Sequence, residues 1–158
     1  MSIIREAKIE DSQRLEGFVK GMIGEENKDE VAKSVVGDFF RNNRYKVFVT
    51  EVQSEIIVFG VLKYEPYEGA NGIAEIVWLG TDRNNKRKGL GAKLVKYIEN
   101  YSKEREIRKL YVKTSSNNKI ANCFWIMQDY KFESRMLDFS MVGYDDYYLG
   151  KVLSHKNC

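Results

Sequence analysis

The sequence predicts an α/β protein in which strands and amphipathic helices alternate along a single domain, residues 1–158. Three observations predict this class. The length of 158 residues suits one domain. Hydrophobic residues make up 43% of the chain, close to the globular average. Runs with two-residue and 3.6-residue apolar periodicity follow one another without a repeat or low-complexity segment between them.

Two amphipathic helices are predicted after a short edge strand at residues 3–6. The first follows the acidic and capping segment Glu10-Asp11-Ser12. Its apolar side chains at helical spacing are Leu15, Phe18, Val19 and Met22. The second helix is predicted over residues 29–40, with a buried face formed by Val31, Val35 and Phe39 at i, i+4 and i+8.

The middle of the chain predicts a hairpin and then a central strand. The β-rich runs 45–52 and 55–64 are joined by Gln53-Ser54, which predicts the turn of the hairpin. Residues 66–72 are expected to form a loop. The run 73–79 is apolar on both faces except at Glu75, the pattern of a strand inside a sheet.

The second half of the chain continues the alternation. A helix is predicted from Leu90, followed by a strand at 110–113 and a helix over 117–129. The stripe of the first of these helices is expected to contain Leu90, Leu94, Tyr97, Ile98 and Tyr101. Two final strands, 136–142 and 147–153, are predicted to flank the connection Gly143-Tyr144-Asp145-Asp146.

A basic segment with two glycines joins the central strand to the next helix. Its residues are Lys86, Arg87, Lys88, Gly89, Leu90, Gly91 and Ala92. Free N–H groups and the positive end of the helix dipole meet at such a junction, and glycine lets an anion approach the backbone. The P-loop pattern is absent, and Leu94 replaces the third glycine of a dinucleotide fingerprint. The segment therefore predicts a phosphate site; a tight turn with a solvated basic face is the alternative.

Composition argues against several other kinds of site. The net charge of +3 is small for a nucleic-acid-binding protein, and the one histidine, His155, argues against Ser-His-Asp and Cys-His catalysis. The two cysteines lack metal-ligand spacing, so no metal is expected. The longest apolar run, residues 56–62, is far shorter than the roughly 20 residues that span a bilayer. Because no secretory leader pattern is visible, the sequence predicts a cytoplasmic protein.

Four segments, in the same order along the chain, resemble the GNAT superfamily of N-acetyltransferases. Lys86-Arg87-Lys88-Gly89-Leu90-Gly91 is similar to the family's acyl-CoA loop, Gln/Arg-x-x-Gly-x-Gly/Ala, with Lys in first place. Asn118-Lys119-Ile120-Ala121-Asn122-Cys123-Phe124-Trp125 is similar to the family's Asn-x-x-Ala-x-x-Phe/Leu-Tyr helix. Ala74-Glu75-Ile76-Val77-Trp78-Leu79 resembles the strand that carries the general base of histone-acetylating members. Residues 4–11 resemble the family's first strand entering its first helix.

The resemblance implies a mixed, mostly antiparallel sheet of six to seven strands with about four helices. It also implies direct acetyl transfer from acetyl-CoA to an amine. An alkylammonium group with a pKa of about 10 must first lose a proton, and Glu75 is implied as the base, directly or through water. A backbone N–H near Leu79 or Gly80 is the implied stabiliser of the thioester oxygen. The implied contacts to acetyl-CoA are Leu79, Gly80, Thr81, Lys86, Arg87, Lys88, Gly89, Leu90, Gly91, Ala92, Asn118, Phe124 and Trp125. A helix cap is the alternative role for Asn118.

Two positions depart from the family pattern. Trp125 stands where the family carries the tyrosine that protonates the CoA thiolate, and an indole N–H does not supply that proton. A water or another tyrosine is left as the donor. Asp129 replaces the glycine of the family's Gly-Phe turn, which predicts a differently shaped helix end.

Two acidic regions predict a cationic acceptor: a polyamine, a small amine, or a protein lysine or N-terminus. One region contains Glu25 and Glu26, and the other contains Tyr144 and Asp145. Ordinary solvated charge is the alternative interpretation. For the chain as a whole, the alternatives to an enzyme are a CoA-binding sensor and a nucleic-acid-binding domain. Both a monomer and a homodimer are compatible with the sequence.

Overall fold

The computed structural model describes residues 1–24 and 27–154, and in these residues it contains seven strands and four α-helices. The strands are β1 (Ser2–Glu6), β2 (Tyr45–Val52), β3 (Glu55–Tyr64), β4 (Ile73–Thr81), β5 (Lys109–Ser115), β6 (Lys131–Met141) and β7 (Tyr144–Val152). The helices are α1 (Ser12–Met22), α2 (Lys28–Arg41), α3 (Leu90–Glu104) and α4 (Lys119–Met127). Short 3₁₀ turns precede α1 and α3.

The strands form one mixed sheet in the order β1-β2-β3-β4-β5-β7-β6. The pairs β1–β2, β2–β3, β5–β7 and β6–β7 are antiparallel, whereas β4 and β5 run parallel. This confirms the predicted α/β class with a mostly antiparallel sheet and four helices. The predicted hairpin is also confirmed: Gln53 and Ser54 both have positive φ, +51° and +66°, as a two-residue type I′ turn requires.

The chain forms two compact units, each built from two segments. Among the described residues, the first unit contains 1–24, 27–64 and 78–98, and the second contains 65–77 and 99–154. The prediction of a single domain over residues 1–158 stays a prediction.

The interior of the first unit is apolar and closely packed. Leu15 and Val19 of α1, Phe48 of β2, Phe59 of β3 and Leu94 of α3 are at most 1% exposed. Gly60 of β3 lies directly under α3, where a Cβ atom would sit 3.0 Å from Ile98 Cδ1 and 3.3 Å from Leu94 Cδ2. β3 and α3 therefore pack so closely at Gly60 that any side chain there would have to push the helix side chains aside.

The interior of the second unit combines apolar side chains with a buried ion pair. Leu110 of β5 and Leu149 of β7 are buried, as is the ring of Tyr130 after α4. Glu99, only 2% exposed, accepts a 2.9 Å hydrogen bond from Lys151 Nζ. The same ammonium donates to the Gln128 carbonyl at 2.9 Å. One cation therefore compensates the buried Glu99 carboxylate and also gives a hydrogen-bond partner to the backbone carbonyl that follows α4.

The predicted faces of two helices need correction. In α2 the buried residues are Ala32, Val36 and Phe39, whereas Val31 is 41% exposed. The apolar residues of this helix form a wide stripe, and periodicity alone placed its centre one residue too early. In α3, Leu94 and Ile98 are buried as predicted, but Tyr97 is 37% exposed.

The last two strands are longer than predicted, and the connection between them is shorter. β6 begins at Lys131, five residues earlier than predicted. Its first residues are mostly polar and pair with β7, so they show no apolar pattern from which a strand could be predicted. The turn centres on Gly143, with φ of +83°. Tyr144, Asp145 and Asp146 therefore belong to β7 and do not form the predicted connection. α4 ends at Met127, and Asp129 follows it with φ of +65°. This is the left-handed conformation that a glycine commonly adopts after a helix, so the replacement of glycine by Asp129 does not by itself give the helix end the different shape that the sequence predicted.

Candidate functional site

The basic segment lies in the first unit, where Asp82 fixes its start. Asp82 Oδ1 accepts the Asn84 N–H at 3.0 Å, and Oδ2 accepts from Arg14 Nη2 of α1 at 3.0 Å. These two contacts, the backbone one first, hold the pKa of Asp82 below its usual value. The Asp82 N–H donates to the Ile57 carbonyl of β3 at 2.8 Å. The end of β4 is thus tied to α1 and β3 before the basic residues begin.

The basic segment presents its cations and its backbone at the start of α3. Lys86, Arg87 and Lys88 are exposed, and Lys88 Nζ is held by Asn85 Oδ1 at 2.8 Å. Two residues have left-handed backbone conformations, Arg87 with φ of +63° and Gly89 with φ of +74°. The Lys93 N–H bonds to the Gly89 carbonyl at 3.1 Å. N–H groups of the first helical turn have no partner within a helix, so the segment offers both donors and positive charge to an anion.

The residues at the end of β4 are placed by packing. Gly80 is buried, and a Cβ atom there would lie 2.4 Å from Phe59 Cε1 and 3.0 Å from Met22 Sδ. Leu79 and Thr81 are half-buried on either side of it. The Phe59 ring therefore leaves no room for a side chain at Gly80.

Glu75 lies in the second unit, on the part of β4 that pairs with β5. Within this unit the paired positions run from Ile73 and Lys109 to Glu75 and Tyr111. The Tyr111 hydroxyl donates to Glu75 Oε2 at 3.0 Å. Burial and then the neighbouring Glu75 carboxylate raise the pKa of Tyr111, so this phenol remains a proton donor at neutral pH. The half-buried Glu75 carboxylate is thus oriented by a hydrogen bond that sequence analysis did not identify.

A cavity of about 310 Å³ opens beside this pair of residues, and we call it the tyrosine pocket. Its lining residues come from four strands and one loop: Tyr67, Ile73, Lys109, Tyr111, Glu133, Ser134 and Tyr148. The rings of Tyr111 and Tyr148 are stacked, with centroids 6.1 Å apart and planes inclined by 28°. Lys109 Nζ and Glu133 Oε2 form an ion pair at 2.7 Å. None of these residues was predicted, because the parallel register that brings Tyr111 beside Glu75 is a property of the folded sheet.

The predicted residues of α4 have structural contacts. Asn118 is the N-cap, and its Oδ1 accepts the Ala121 N–H at 3.1 Å. Trp125 is 5% exposed, and its ring makes edge contacts with Tyr130 at 4.9 Å and with Phe124 at 5.1 Å, measured between ring centroids. Tyr130 is itself buried, and burial followed by the nearby Glu99 carboxylate raises its pKa. Tyr130 is therefore poorly placed to supply the proton that Trp125 cannot.

The predicted acceptor residues fall into two groups. Glu25 and Glu26 lie outside the described residues. Asp145 forms an ion pair with Arg135, whose Nε donates to Asp145 Oδ2 at 2.6 Å, and this contact lowers the pKa of Asp145. The ring of Tyr144 is 44% exposed. The carboxylate of Asp145 is thus already matched by a cation from the neighbouring strand.

Residues 1–24 and 27–154 contain neither a helix that could span a membrane nor a group of side chains that could hold a metal ion. No helix in this part of the chain is long and apolar enough to cross a membrane. No three His, Cys, Asp or Glu side chains in it are grouped so that they could hold a metal ion.

Comparisons with known proteins relate this geometry to one family. The model of the acetyltransferase (GNAT) family matches residues 9–127. An aminoglycoside 6′-N-acetyltransferase complexed with coenzyme A is 15% identical, with a TM-score of 0.83 over 99% of each chain. An N-acetyltransferase from Staphylococcus aureus Mu50 is 16% identical, with a TM-score of 0.80 over 98% of this chain and 99% of the other.

A third solved structure gives the same picture. The ribosomal-protein-alanine N-acetyltransferase from Brucella melitensis is 17% identical, with a TM-score of 0.80 over 95% of this chain and 99% of the other. At these identities the likeness shows the shared fold. No curated protein is significantly similar to the chain in sequence.

Proposed function

Because the chain belongs to the acetyltransferase (GNAT) family, we propose that it transfers an acetyl group from acetyl-CoA to a primary amine that is positively charged in solution. The basic segment from Lys86 to Ala92 binds the diphosphate of acetyl-CoA, and Glu75 is the general base. The observation that carries the proposal is the hydrogen bond from the Tyr111 hydroxyl to Glu75 Oε2, which orients a half-buried carboxylate on β4.

The chemistry of the basic segment fits a CoA diphosphate. Lys86 and Arg87 are exposed, so their charges are available to a phosphate, and the left-handed conformations of Arg87 and Gly89 turn the backbone into the start of α3. Asp82 keeps this segment in place through Arg14 and Asn84. A phosphate bound here would gain backbone hydrogen bonds, side-chain cations and the helix dipole together.

Glu75 supplies the proton acceptor that the reaction needs. Acetyl-CoA provides an activated acetyl thioester. Glu75 takes one proton from the ammonium group, directly or through a water, which frees the nitrogen lone pair. The C–N bond forms as the thioester C–S bond breaks, and the second nitrogen proton passes through water to the departing thiolate. Tyr111 acts as a positioning residue, because its hydroxyl holds one Glu75 oxygen and leaves the other free to accept.

Replacement of the base tests the proposal. Release of the CoA thiol is measured with acetyl-CoA and a panel of amines for the wild type, for Glu75→Gln and for Glu104→Gln, an exposed carboxylate on α3 that serves as the control. We expect Glu75→Gln to lower kcat at neutral pH by about a hundredfold or more, with the KM for acetyl-CoA unchanged. Glu104→Gln should behave like the wild type.

Two outcomes would contradict parts of the proposal. An unchanged kcat and pH–rate profile in Glu75→Gln would exclude Glu75 as the base. Binding of CoA without turnover of any amine would instead favour a CoA sensor. Trp125 and Tyr130 are both buried, and neither is suited to protonate the CoA thiolate, which is the reason for including this test.

A further inference from the structure

The tyrosine pocket has a charge balance that limits what it can bind. Lys109 and Glu133 neutralise each other at 2.7 Å, and the Glu133 carboxylate lies against the backbone at Gly150, where a Cβ would be 2.6 Å from Glu133 Oε1. The Glu75 carboxylate, bonded to Tyr111, stands beside the pocket. A ligand with one positive charge near Glu75 therefore finds a matching anion without breaking the other ion pair.

A second positive charge on the ligand would meet repulsion. Lys109 and Lys113 occupy the positions two residues before and after Tyr111 on β5, and alternate residues of a strand share a face. Lys113 is also directly opposite Tyr148 in the β5–β7 register, and it is exposed. Because Glu133 neutralises Lys109, the repulsion comes from Lys113. The Asp146 carboxylate, which acts on Tyr148, already accepts a hydrogen bond from the Ser140 hydroxyl. The charge of Lys113 therefore disfavours a polyamine with several ammonium groups.

The walls of the pocket suit a flat apolar group. The rings of Tyr111 and Tyr148, which stack on each other, both line the pocket, and Tyr67, 56% exposed in the loop before β4, contributes a third ring. Aromatic faces bind other rings and also attract an ammonium group through the ring quadrupole. The remaining apolar contact is Ile73 at the start of β4.

The volume of the pocket sets the size of the ligand. Ligand sites commonly measure about 300–1,000 Å³, so a cavity of about 310 Å³ is at the small end. If each non-hydrogen atom takes roughly the 30 Å³ of a water molecule in the liquid, the cavity holds about ten such atoms. This is the size of one ring with a short aminoalkyl chain.

We propose that the tyrosine pocket binds the body of the acceptor, and that the acceptor is a small primary amine with a single positive charge and one flat ring, of the arylalkylamine class. This inference rests on the proposed function and makes it specific. The ring of the acceptor lies against Tyr111 and Tyr148, Tyr67 covers it from the loop, and its amine reaches the free oxygen of Glu75.

The first test compares acceptors on the wild-type chain. The probes are 2-phenylethylamine, n-butylamine, which lacks the ring, and spermidine, which carries additional charges. We expect kcat/KM for 2-phenylethylamine to exceed that of each of the other two by at least tenfold. Spermidine or n-butylamine acetylated as efficiently as 2-phenylethylamine would overturn the inference while leaving the proposed function intact.

The second test uses variants of the pocket. Tyr67→Ala changes an exposed loop residue and should fold normally, whereas Tyr148→Leu keeps an apolar side chain of similar bulk. Each should raise the KM for 2-phenylethylamine at least fivefold without changing the KM for acetyl-CoA. Tyr101→Ala, a tyrosine of α3 outside the pocket, is the matched control and should leave both values unchanged. An unchanged amine KM in both pocket variants would contradict the assignment.

A binding measurement separates the two proposals. Isothermal titration of 2-phenylethylamine into the wild type and into Tyr148→Leu, each with CoA present, needs no turnover. Weaker binding to Tyr148→Leu than to the wild type supports the pocket even if no amine is acetylated, in which case only the proposed function fails. Equal affinity for the two proteins, or no binding to the wild type, rejects the pocket as the site of the acceptor.

Discussion

Gly80 shows how a single position at the end of β4 depends on packing. The ring of Phe59, fully buried, leaves only 2.4 Å for a Cβ atom at this glycine. We expect Gly80→Ala to lower the free energy of unfolding by about 1–3 kcal/mol, the usual effect of overpacking. Urea unfolding measures it.

The matched control for Gly80→Ala is Gly17→Ala in α1. No atom lies within 4 Å of a Cβ atom at Gly17, so this change should raise the free energy of unfolding by about 0.5–1 kcal/mol through the better helix propensity of alanine. If both variants shifted stability in the same direction, the packing explanation for Gly80 would be wrong.

Asp11 gives the protein a pH-dependent contribution to stability. Arg5 bonds its carboxylate at 2.8 and 3.0 Å while also contacting Glu51, and the Arg5 hydrogen bond is the main reason why the pKa of Asp11 is lowered in the folded state. A lowered folded-state pKa stabilises the protein above the unfolded value of about 3.9, and the effect disappears as pH falls through the folded-state pKa.

Asp11→Asn tests this contribution. At pH 7 the variant should lose about 1.5 kcal/mol of unfolding free energy relative to the wild type. The difference should shrink as pH falls below about 4, when the wild-type carboxylate is also neutral. Urea unfolding at pH 7 and pH 2.5 measures both values. Asp38→Asn, which breaks an exposed pair with Arg41, is the control and should change stability by less than about 0.5 kcal/mol. A pH-independent difference for Asp11→Asn would contradict the argument.

At the scale of elements, the start of α4 depends on one cap. Asn118 Oδ1 accepts the Ala121 N–H, so Asn118→Ala should lower the free energy of unfolding by about 1 kcal/mol, whereas Asn118→Asp keeps the acceptor and should not. The KM for acetyl-CoA distinguishes the cap from the predicted cofactor contact. A KM raised in Asn118→Asp, with stability unchanged, supports the contact; a KM raised only in Asn118→Ala indicates that capping is the whole role.

β6 is an edge strand with large apolar side chains in solvent. Its exposed residues include Leu137 at 67%, Phe139 at 55% and Met141 at 62%, and its outer edge carries no further strand in the described part of the chain. Exposed apolar edge strands promote association. We expect the wild type to associate as concentration rises, and Leu137→Lys to reduce this in sedimentation velocity. Ile120→Lys, at a residue 84% exposed on α4, is the control; an equal effect there would show that β6 has no special role.

The elements that sequence predicted well are those whose pattern is local. Strands such as β2 and β3 and helix α3 alternate or repeat within a few residues, so apolar periodicity located them. The face of α2 and the start of β6 were misplaced for opposite reasons. In α2, some of the apolar residues are exposed, so the apolar pattern does not coincide with the buried face. In β6, the first half is mostly polar, and its position in the sheet is determined by pairing with β7.

At the scale of the whole molecule, binding of acetyl-CoA should be visible in stability. A ligand that binds only the folded state stabilises it by about 2.7 kcal/mol at a hundred times its Kd. We expect acetyl-CoA to raise the Tm, and Arg87→Ala to reduce this rise at the same concentration. No shift at millimolar acetyl-CoA would count against the proposed function. Salt-dependent binding of DNA or RNA that Arg87→Ala weakens would favour the nucleic-acid alternative.

The two parts of the candidate site differ in how far sequence could predict them. The basic segment is contiguous, and its glycines and cations were identified from the printed residues alone. The tyrosine pocket brings together residues from 67 to 148, and their proximity depends on the register of β4, β5 and β7. Glu75 was identified by resemblance, but its partner Tyr111 required the folded sheet.

The two interleaved units have a consequence for the order in which the protein can be made. The first unit draws on Met1–Tyr64 and Trp78–Ile98, so its last part leaves the ribosome only after the loop and half-strand that belong to the second. Synthesis at about 5–20 residues per second separates these events by seconds. The segment that carries Glu75 is therefore synthesised before β5 and β7, the strands of its own unit, and it cannot pack with them until most of the remaining chain has been made. A stall or truncation after Ile98 would leave a nascent chain that already carries the basic segment but not yet Tyr111 or Tyr148.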